Sequence, residues 1–391
     1  MSETSDLFIN TELRESSGIF YENIGNVNFY SSHWKLITYT NISTLEYKLK
    51  LFQDVAKQTI HLCNNPEFTS HYACKTSLIL LLRLQTTIEE QDRAFKDLIG
   101  HFRHRRGLFD AVGKIFKVLI GTLDSDDAEH YNNVINDLMN GERDMTSLLR
   151  TQSQVVQSTI SNFNSTMINI QHVEETFNKN IQQMQLLATS VNSTLLEQNI
   201  GDHITLLLLT FTELNREYSN LIDSILLAKQ NILHPSVLTP EQILTELSKS
   251  KRNLPPNTNY PTILNKANIY KILNTLTLSV YYMESKLIYL IHVPLIQNTP
   301  FILYKLFPLP KLTVNNTYIF IKPTNDYIAM SVNKLKYSLI NTLLDCKTIS
   351  NDNIICPIHQ PLSNTYSQPS CESELLINHV KMPQSCNIDR I

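Results

Sequence analysis

The sequence predicts an α+β fold, predominantly helical, with a long heptad-repeat helix and a β-rich, Cys-containing C-terminal module. Three observations carry this expectation. Leu149, Val156, Phe163, Ile170, Phe177, Met184 and Val191 recur at strict intervals of seven residues, a spacing that keeps one apolar seam along a helix. Beyond Pro261, short runs rich in Ile, Tyr, Phe and Val alternate with Pro and Asn, which is strand and turn chemistry. Of the six cysteines, Cys346, Cys356, Cys371 and Cys386 crowd into that same end, with Cys63 and Cys74 far upstream. Such spacings, without C-x-x-C or a partnered His pair, favour an oxidised extracellular disulfide set over a metal site and leave the pairing open.

Taken in order, residues 1–50 alternate apolar and polar around Phe20, Tyr21, Phe29, Tyr30, Trp34, Leu36 and Ile37, which predicts short strands. From Leu45 to Ile99 the apolar residues recur at three and four, so helices follow. Asp124-Ser125-Asp126-Asp127 breaks the chain and caps a further helix, the one that bears the heptads. With Leu149 and its followers at the a positions, most d positions are polar, which costs stability but fixes register and oligomer state. A long helix packed into its own globular domain is the alternative reading of the same repeat. Near Gly201 the repeat slips; Ile204, Phe211, Tyr218 and Ile225, with Leu207, Leu214, Leu221 and Ala228, resume it one residue out of phase. Pro235, Pro240, Pro255, Pro256 and Pro261 then mark a linker. A second helical stretch leads from Thr262 toward Met283, followed by strands at Leu287–Val293, Phe301–Leu306, Thr317–Ile321 and Tyr327–Val332.

The most informative junction is His101–Tyr131. Arg103-His104-Arg105-Arg106 fits the R-x-[KR]-R pattern that acidic pockets of secretory processing proteases accept. A cut after Arg106 would expose Gly107. Beyond it Leu108, Phe109, Val112, Ile115, Phe116, Val118, Leu119, Ile120 and Leu123 cover most of a helix, with Asp110, Lys114 and Lys117 on a narrow polar stripe. That segment is too short and charged to span a bilayer, and suits its interface. Sequons at Asn41, Asn164, Asn192 and Asn315 agree with a secreted context; Asn164 and Asn192 both fall at b positions of the heptad, facing solvent.

The block RHRRGLFDAVGKIFKVLIGTLDSDDAEHY, with Gly18–Glu22 and Gly25, Trp34–Tyr39, Lys305–Pro310, Ile355-Cys356-Pro357 and Cys371-Glu372, resembles the baculovirus F-type envelope fusion proteins. It also resembles the related envelope proteins of insect errantiviruses of the gypsy kind. The resemblance spans nearly the whole chain. It implies a class I type viral fusion glycoprotein ectodomain, with cleavage at Arg103, Arg105, Arg106 and Gly107 and a fusion peptide from Gly107 to Leu123. It further implies a homotrimer whose coiled coil rearranges, a secretory processing protease, a host receptor of unknown identity and a target-cell lipid bilayer as partners, and a place in the viral envelope, secretory pathway and cell-surface membrane. Its domains would run as N-terminal subunit (1–106), fusion peptide (107–130), heptad region (131–233), linker (234–261) and α+β module (262–391). The start of the sequence lacks an apolar signal region and no run of 18 apolar residues occurs, so the family's signal peptide, stem and anchor are expected to be absent, and a truncated element, a fragmentary gene model or an ectodomain is expected. Fusion at low pH, also implied by the family, directs attention to His101, His104 and His130 around the apolar segment.

Other functions are excluded or less favoured. The 33 basic residues are scattered and the net charge is −3, so no nucleic-acid footprint exists. Nucleophile-elbow, phosphate-loop and zinc-protease motifs are absent, which predicts no enzyme and no cofactor. The competing readings are a domesticated soluble envelope relic acting by receptor binding or interference, and a cellular oligomerising coiled-coil protein.

Overall fold

The computed structural model describes residues 17–100, 116–120, 125–139, 153–155, 163–188, 193–312, 317–378 and 382–390. In chain order β1 (Ile19–Asn41) leads into α1 (Ser43–Cys63) and α2 (Tyr72–Ile99), followed by β2 (Phe116–Ile120), α3 (Ser125–Met139) and β3 (Ser153–Val155). The long helices α4 (Phe163–Ala188) and α5 (Ser193–Ala228) precede α6 (Pro240–Ser250), β4 (Thr258–Asn259), α7 (Ile269–Leu273), β5 (Thr277–Met283) and β6 (Lys286–Gln297). The remainder is β7 (Phe301–Pro308), β8 (Lys311–Leu312), β9 (Tyr318–Ile321), β10 (Tyr327–Ser331), β11 (Lys336–Ile340), β12 (Lys347–Ser350), β13 (Asn353–Pro357), β14 (Ser363–Asn364), α8 (Cys371–Ile377) and β15 (Ile388–Arg390). Helix and antiparallel sheet share the chain, a mixed architecture. Two compact units form, each discontinuous in sequence: the described residues of Lys35–Asn253 with Leu276–Val293, and those of Met1–Trp34, Leu254–Thr275 and Pro294–Ile391.

The first unit is a helical bundle with a hairpin. On α5 the buried residues Leu196, Ile200, Ile204, Leu207, Phe211, Leu214, Tyr218, Leu221, Ile225 and Ala228 follow one another at three and four, so one continuous stripe faces inward. Cys74, Leu81, Ile88 and Phe95 on α2, and Ile170, Phe177 and Met184 on α4, are buried at intervals of seven. The heptads of three helices therefore meet inside a single chain, and α5 packs most extensively against α2. Cys63–Cys74 ties the end of α1 to the start of α2. Charged and polar pairs register the helices. Lys48 Nζ reaches Glu217 at 2.6 and 2.8 Å, Gln91 Nε2 donates to Ser219 Oγ at 2.9 Å, and Tyr218 Oη donates to Asp92 at 2.9 Å while Lys96 pairs with the same carboxylate at 2.9 Å.

The second unit is β-rich. The first part of β1 pairs antiparallel with β7, Ile19 opposite Pro308 through Val27 opposite Phe301, and parallel with β13, Asn26 opposite Asn353 through Tyr30 opposite Pro357. At Gly25 the register with β7 shifts, φ is +135, and an added Cβ would lie 2.7 Å from the Asp352 carbonyl oxygen. Only glycine fits there without strain. On β7's other side lies β10, then β11 and β14; β8, β9 and β15 form a separate small sheet. Helix α8 packs Cys371 and Leu375 onto Ile19, Leu306, Ile321 and Ile328, and the buried Glu372 carboxylate accepts from the Thr324 backbone and hydroxyl, each at 2.7 Å. Disulfides Cys346–Cys356 and Cys371–Cys386 staple this unit.

Several expectations change. Where short strands were expected near the start, β1 is a single strand of 23 residues, because its bulge at Gly25 lets it bend without breaking. The slip near Gly201 is a change of helix: α4 ends at Ala188, α5 begins at Ser193, and Gly201 lies within α5. The heptad region is not one helix, since β3 interrupts it at Ser153–Val155, parallel to Lys35–Ile37 of β1. The helical stretch from Thr262 shrinks to α7, and Thr277–Met283 is a strand, its aromatic and β-branched residues finding a partner in β6. Within the Pro-rich stretch 234–261, Thr239 and Gln242 form a capping box that starts α6. The strands expected at Leu287, Phe301, Thr317 and Tyr327 are found in β6, β7, β9 and β10.

Candidate functional site

The site begins where α2 stops. Gly100 adopts a left-handed C-cap with φ 76 and its N–H donates to the Asp97 carbonyl at 3.2 Å, which ends the helix ahead of the basic run. Arg103, Arg105, Arg106, Gly107, Leu108, Phe109, Val112, Ile115 and Leu123, with His101 and His104, lie outside the described residues. Phe116, Leu119 and Ile120 fall on β2.

A helix was expected through this segment; its described part is a strand. Phe116 lies opposite Met283, Lys117 opposite Tyr282, Val118 opposite Tyr281 and Ile120 opposite Val280, with an irregularity between Val118 and Ile120. The run Phe-Lys-Val-Leu-Ile has strong β preference, and β5 offers it an unpaired edge. Local apolar spacing cannot reveal a partner so distant in sequence. Among the described strands β2 pairs with β5 alone and ends the sheet order.

Helix α3 follows at once and packs on the same hairpin. Tyr131, Val134 and Ile135 join Ile37, Tyr281, Met283, Ile288 and Leu290 in one buried cluster. A polar set then fixes α3 to the hairpin turn: Asn132 Nδ2 donates to Glu284 Oε2 at 2.9 Å, the buried Lys286 Nζ donates to Asn132 Oδ1 at 3.3 Å, and Lys286 lies 3.7 Å from Glu284. Lys35 Nζ bonds the Tyr131 hydroxyl at 3.0 Å. Glu284 and Ser285, the two central turn residues, both have positive φ, +47 and +59, the geometry of a type I′ hairpin normally filled by Asn-Gly. The Ser285 carbonyl accepts from the Ile42 backbone N–H at 2.9 Å, joining the turn to the start of α1. Sequence reasoning missed this cradle; Glu-Ser between two apolar runs was its only trace.

The other expected residues separate into groups. Ile170, Phe177 and Met184 are buried inside the bundle, Phe163 and Asn164 start α4, and Leu149, Val156, Val191, Asn192 and Asn315 lie outside the described residues. Asn41 ends β1, its Oδ1 accepting from the Ser43 N–H at 3.0 Å. His130 is exposed on α3. The histidine that the bundle encloses is another one, His203 on α5, fully buried with its ring 5.5 Å from Phe177. Thr59 Oγ1 donates to the Val55 carbonyl and meets His203 Nε2 at 2.9 Å, so Nε2 carries the proton and donates. Nδ1 is left buried with no hydrogen-bond partner, and burial lowers the imidazole pKa to about 4.

Residues 1–390 match the family model described as Baculovirus F protein. The chain belongs to the Baculovirus F protein family. A relative from that family's viruses, described as an envelope fusion protein of Lymantria dispar multicapsid nuclear polyhedrosis virus, is 22% identical over 402 aligned positions, covering 94% of this chain and 55% of the relative. The chain thus spans about half the length of the curated relative it matches. All six cysteines being paired agrees with the oxidising surroundings of an envelope. Among the described residues no helix is long and apolar enough to cross a membrane.

Proposed function

We propose that this F-family chain carries the fusion machinery of an envelope glycoprotein. It is cleaved after Arg106, delivers Gly107–Leu123 to a target-cell bilayer, and drives virus–cell membrane fusion through a class I, trimeric coiled-coil rearrangement. The observation that carries the reading is the placement of β2. The last part of the apolar segment is held by a single row of backbone hydrogen bonds at a sheet edge, and an edge strand leaves by breaking one ladder, where a central strand must break two. Its charge, Lys117, suits an interface once the strand has left. The cradle of Asn132, Glu284 and Lys286 holds the flanking α3 until then. Family membership and the similarity to an envelope fusion protein support the same role.

The test is expression in insect cells behind a supplied signal peptide, followed by N-terminal sequencing of the products. A fragment starting Gly-Leu-Phe-Asp-Ala-Val is expected, disappearing in Arg106→Ala. An intact chain from the unaltered sequence would remove cleavage from the mechanism and favour a soluble relic.

A further inference from the structure

The β-rich unit holds a cavity of about 200 Å³ where the loop after β11 faces the stretch that follows β13. One wall is the second half of β11 and its continuation, Ser338 to Thr342; the other runs from Pro357 to Gln360 and includes Leu362. Phe29 and Cys356, each 2% exposed, form the apolar floor. The Cys346–Cys356 bridge ties the two walls together, and Asn325 Nδ2 donates to Asn341 Oδ1 at the rim. The cavity is therefore pre-formed, and filling it costs little ordering.

Its polar groups are of one kind. Asn325, Ser338, Asn341, Thr342 and Gln360 supply amides and hydroxyls, which are neutral and both donate and accept. β14 pairs with β11 only at Lys336 and Tyr337, so along Ser338–Ile340 that side of the strand has no partner among the described strands. Alternate backbone groups there add further donors and acceptors. The one carboxylate, Asp345, has His359 Nε2 at 3.3 Å from its Oδ2, and no Lys or Arg stands among the described lining residues. An anion would meet no fixed cation, and a cation would have to compete with His359. No group of metal-ligating side chains exists among the described residues.

We propose that this cavity binds one neutral pyranose ring, the terminal sugar of a glycan. Such a ring has an apolar C–H face and a rim of hydroxyls that donate and accept at once, the complement of an apolar floor below amides and hydroxyls. The volume agrees, being below the roughly 300–1,000 Å³ that encloses a drug-sized molecule. Neither cleavage after Arg106 nor the apolar segment enters into this assignment, which concerns only the β-rich unit.

The test is ligand-observed saturation-transfer NMR on the whole uncut chain, with methyl α-mannopyranoside, methyl β-galactopyranoside and N-acetylglucosamine as probes. Transfer to the ring protons of at least one sugar is expected; transfer to none of the three overturns the proposal. Ser338→Phe puts an aromatic ring into the cavity from β11 and is expected to abolish the transfer, whereas transfer persisting in the folded variant would place the sugar elsewhere. Asn341→Ala with Gln360→Ala changes only exposed rim residues and decides the matter should Ser338→Phe fail to fold. It is expected to weaken sugar binding about tenfold, the worth of one or two net hydrogen bonds, and unchanged affinity overturns the assignment. Displacement of the sugar by an equal concentration of methylguanidine would reveal a cation site at Asp345 and overturn it as well.

Discussion

His203 sits where an added proton has no acceptor. Its Nε2–H is committed to Thr59 and its Nδ1 faces the buried bundle without a partner. The folded pKa of about 4 lies below the ordinary 6.5, so the neutral ring's contribution to stability is complete above pH 6.5 and is lost progressively as pH falls toward 4. By linkage this amounts to about 2 kcal/mol at pH 5. His203→Gln is expected to flatten the difference in melting temperature between pH 7.5 and pH 5 relative to the unaltered chain, and an equal fall in both proteins would show that the acid sensitivity resides elsewhere. The sequence flagged His101, His104 and His130 by their nearness to the apolar segment, but the cost of protonation depends on enclosure, which spacing along the chain does not report. Gly25 is the opposite case: in the sequence it is only one of the residues that carry the family resemblance, and the approach of the Asp352 carbonyl shows why no side chain fits there.

At the scale of elements, the candidate site turns on a choice between helix and strand. The apolar pattern of Gly107–Leu123 reads as helical, yet Phe116–Ile120 pairs with β5, because tertiary pairing overrides a local pattern when a free strand edge is available. The hairpin supplying that edge is itself strained. Glu284 bonds Asn132 and is needed; Ser285 contributes a carbonyl and a positive φ of +59. Ser285→Gly keeps the carbonyl and relieves the left-handed strain, so it is expected to stabilise the protein by about 1 kcal/mol, measured as a rise in the denaturation midpoint. A fall would mean that the turn is held in another conformation.

For the molecule as a whole, the heptads have a present use that their periodicity does not disclose. Ile170, Phe177 and Met184 are enclosed by their own chain, and a trimeric coil could recruit them only after the bundle opens. Phe177→Ala should therefore destabilise the uncut chain by about 3–5 kcal/mol, whereas Leu186→Ala on the same helix, 73% exposed, should leave thermal unfolding nearly unchanged; equal effects would contradict the packing of α4. The sequence by itself determined the family, the helical stretch from Leu45 to Ile99, the strands that begin near Leu287, Phe301, Thr317 and Tyr327, and the oxidised cysteines. Each is encoded locally, in a motif, a period or a residue type. Only the tertiary structure decided which cysteines pair, that Phe116–Ile120 is a strand, that Asn132, Glu284 and Lys286 meet, that His203 is sealed in, and that the heptad seam faces inward. These depend on which distant segment supplies the facing surface, and a periodic apolar face states only that it must be covered, not by what.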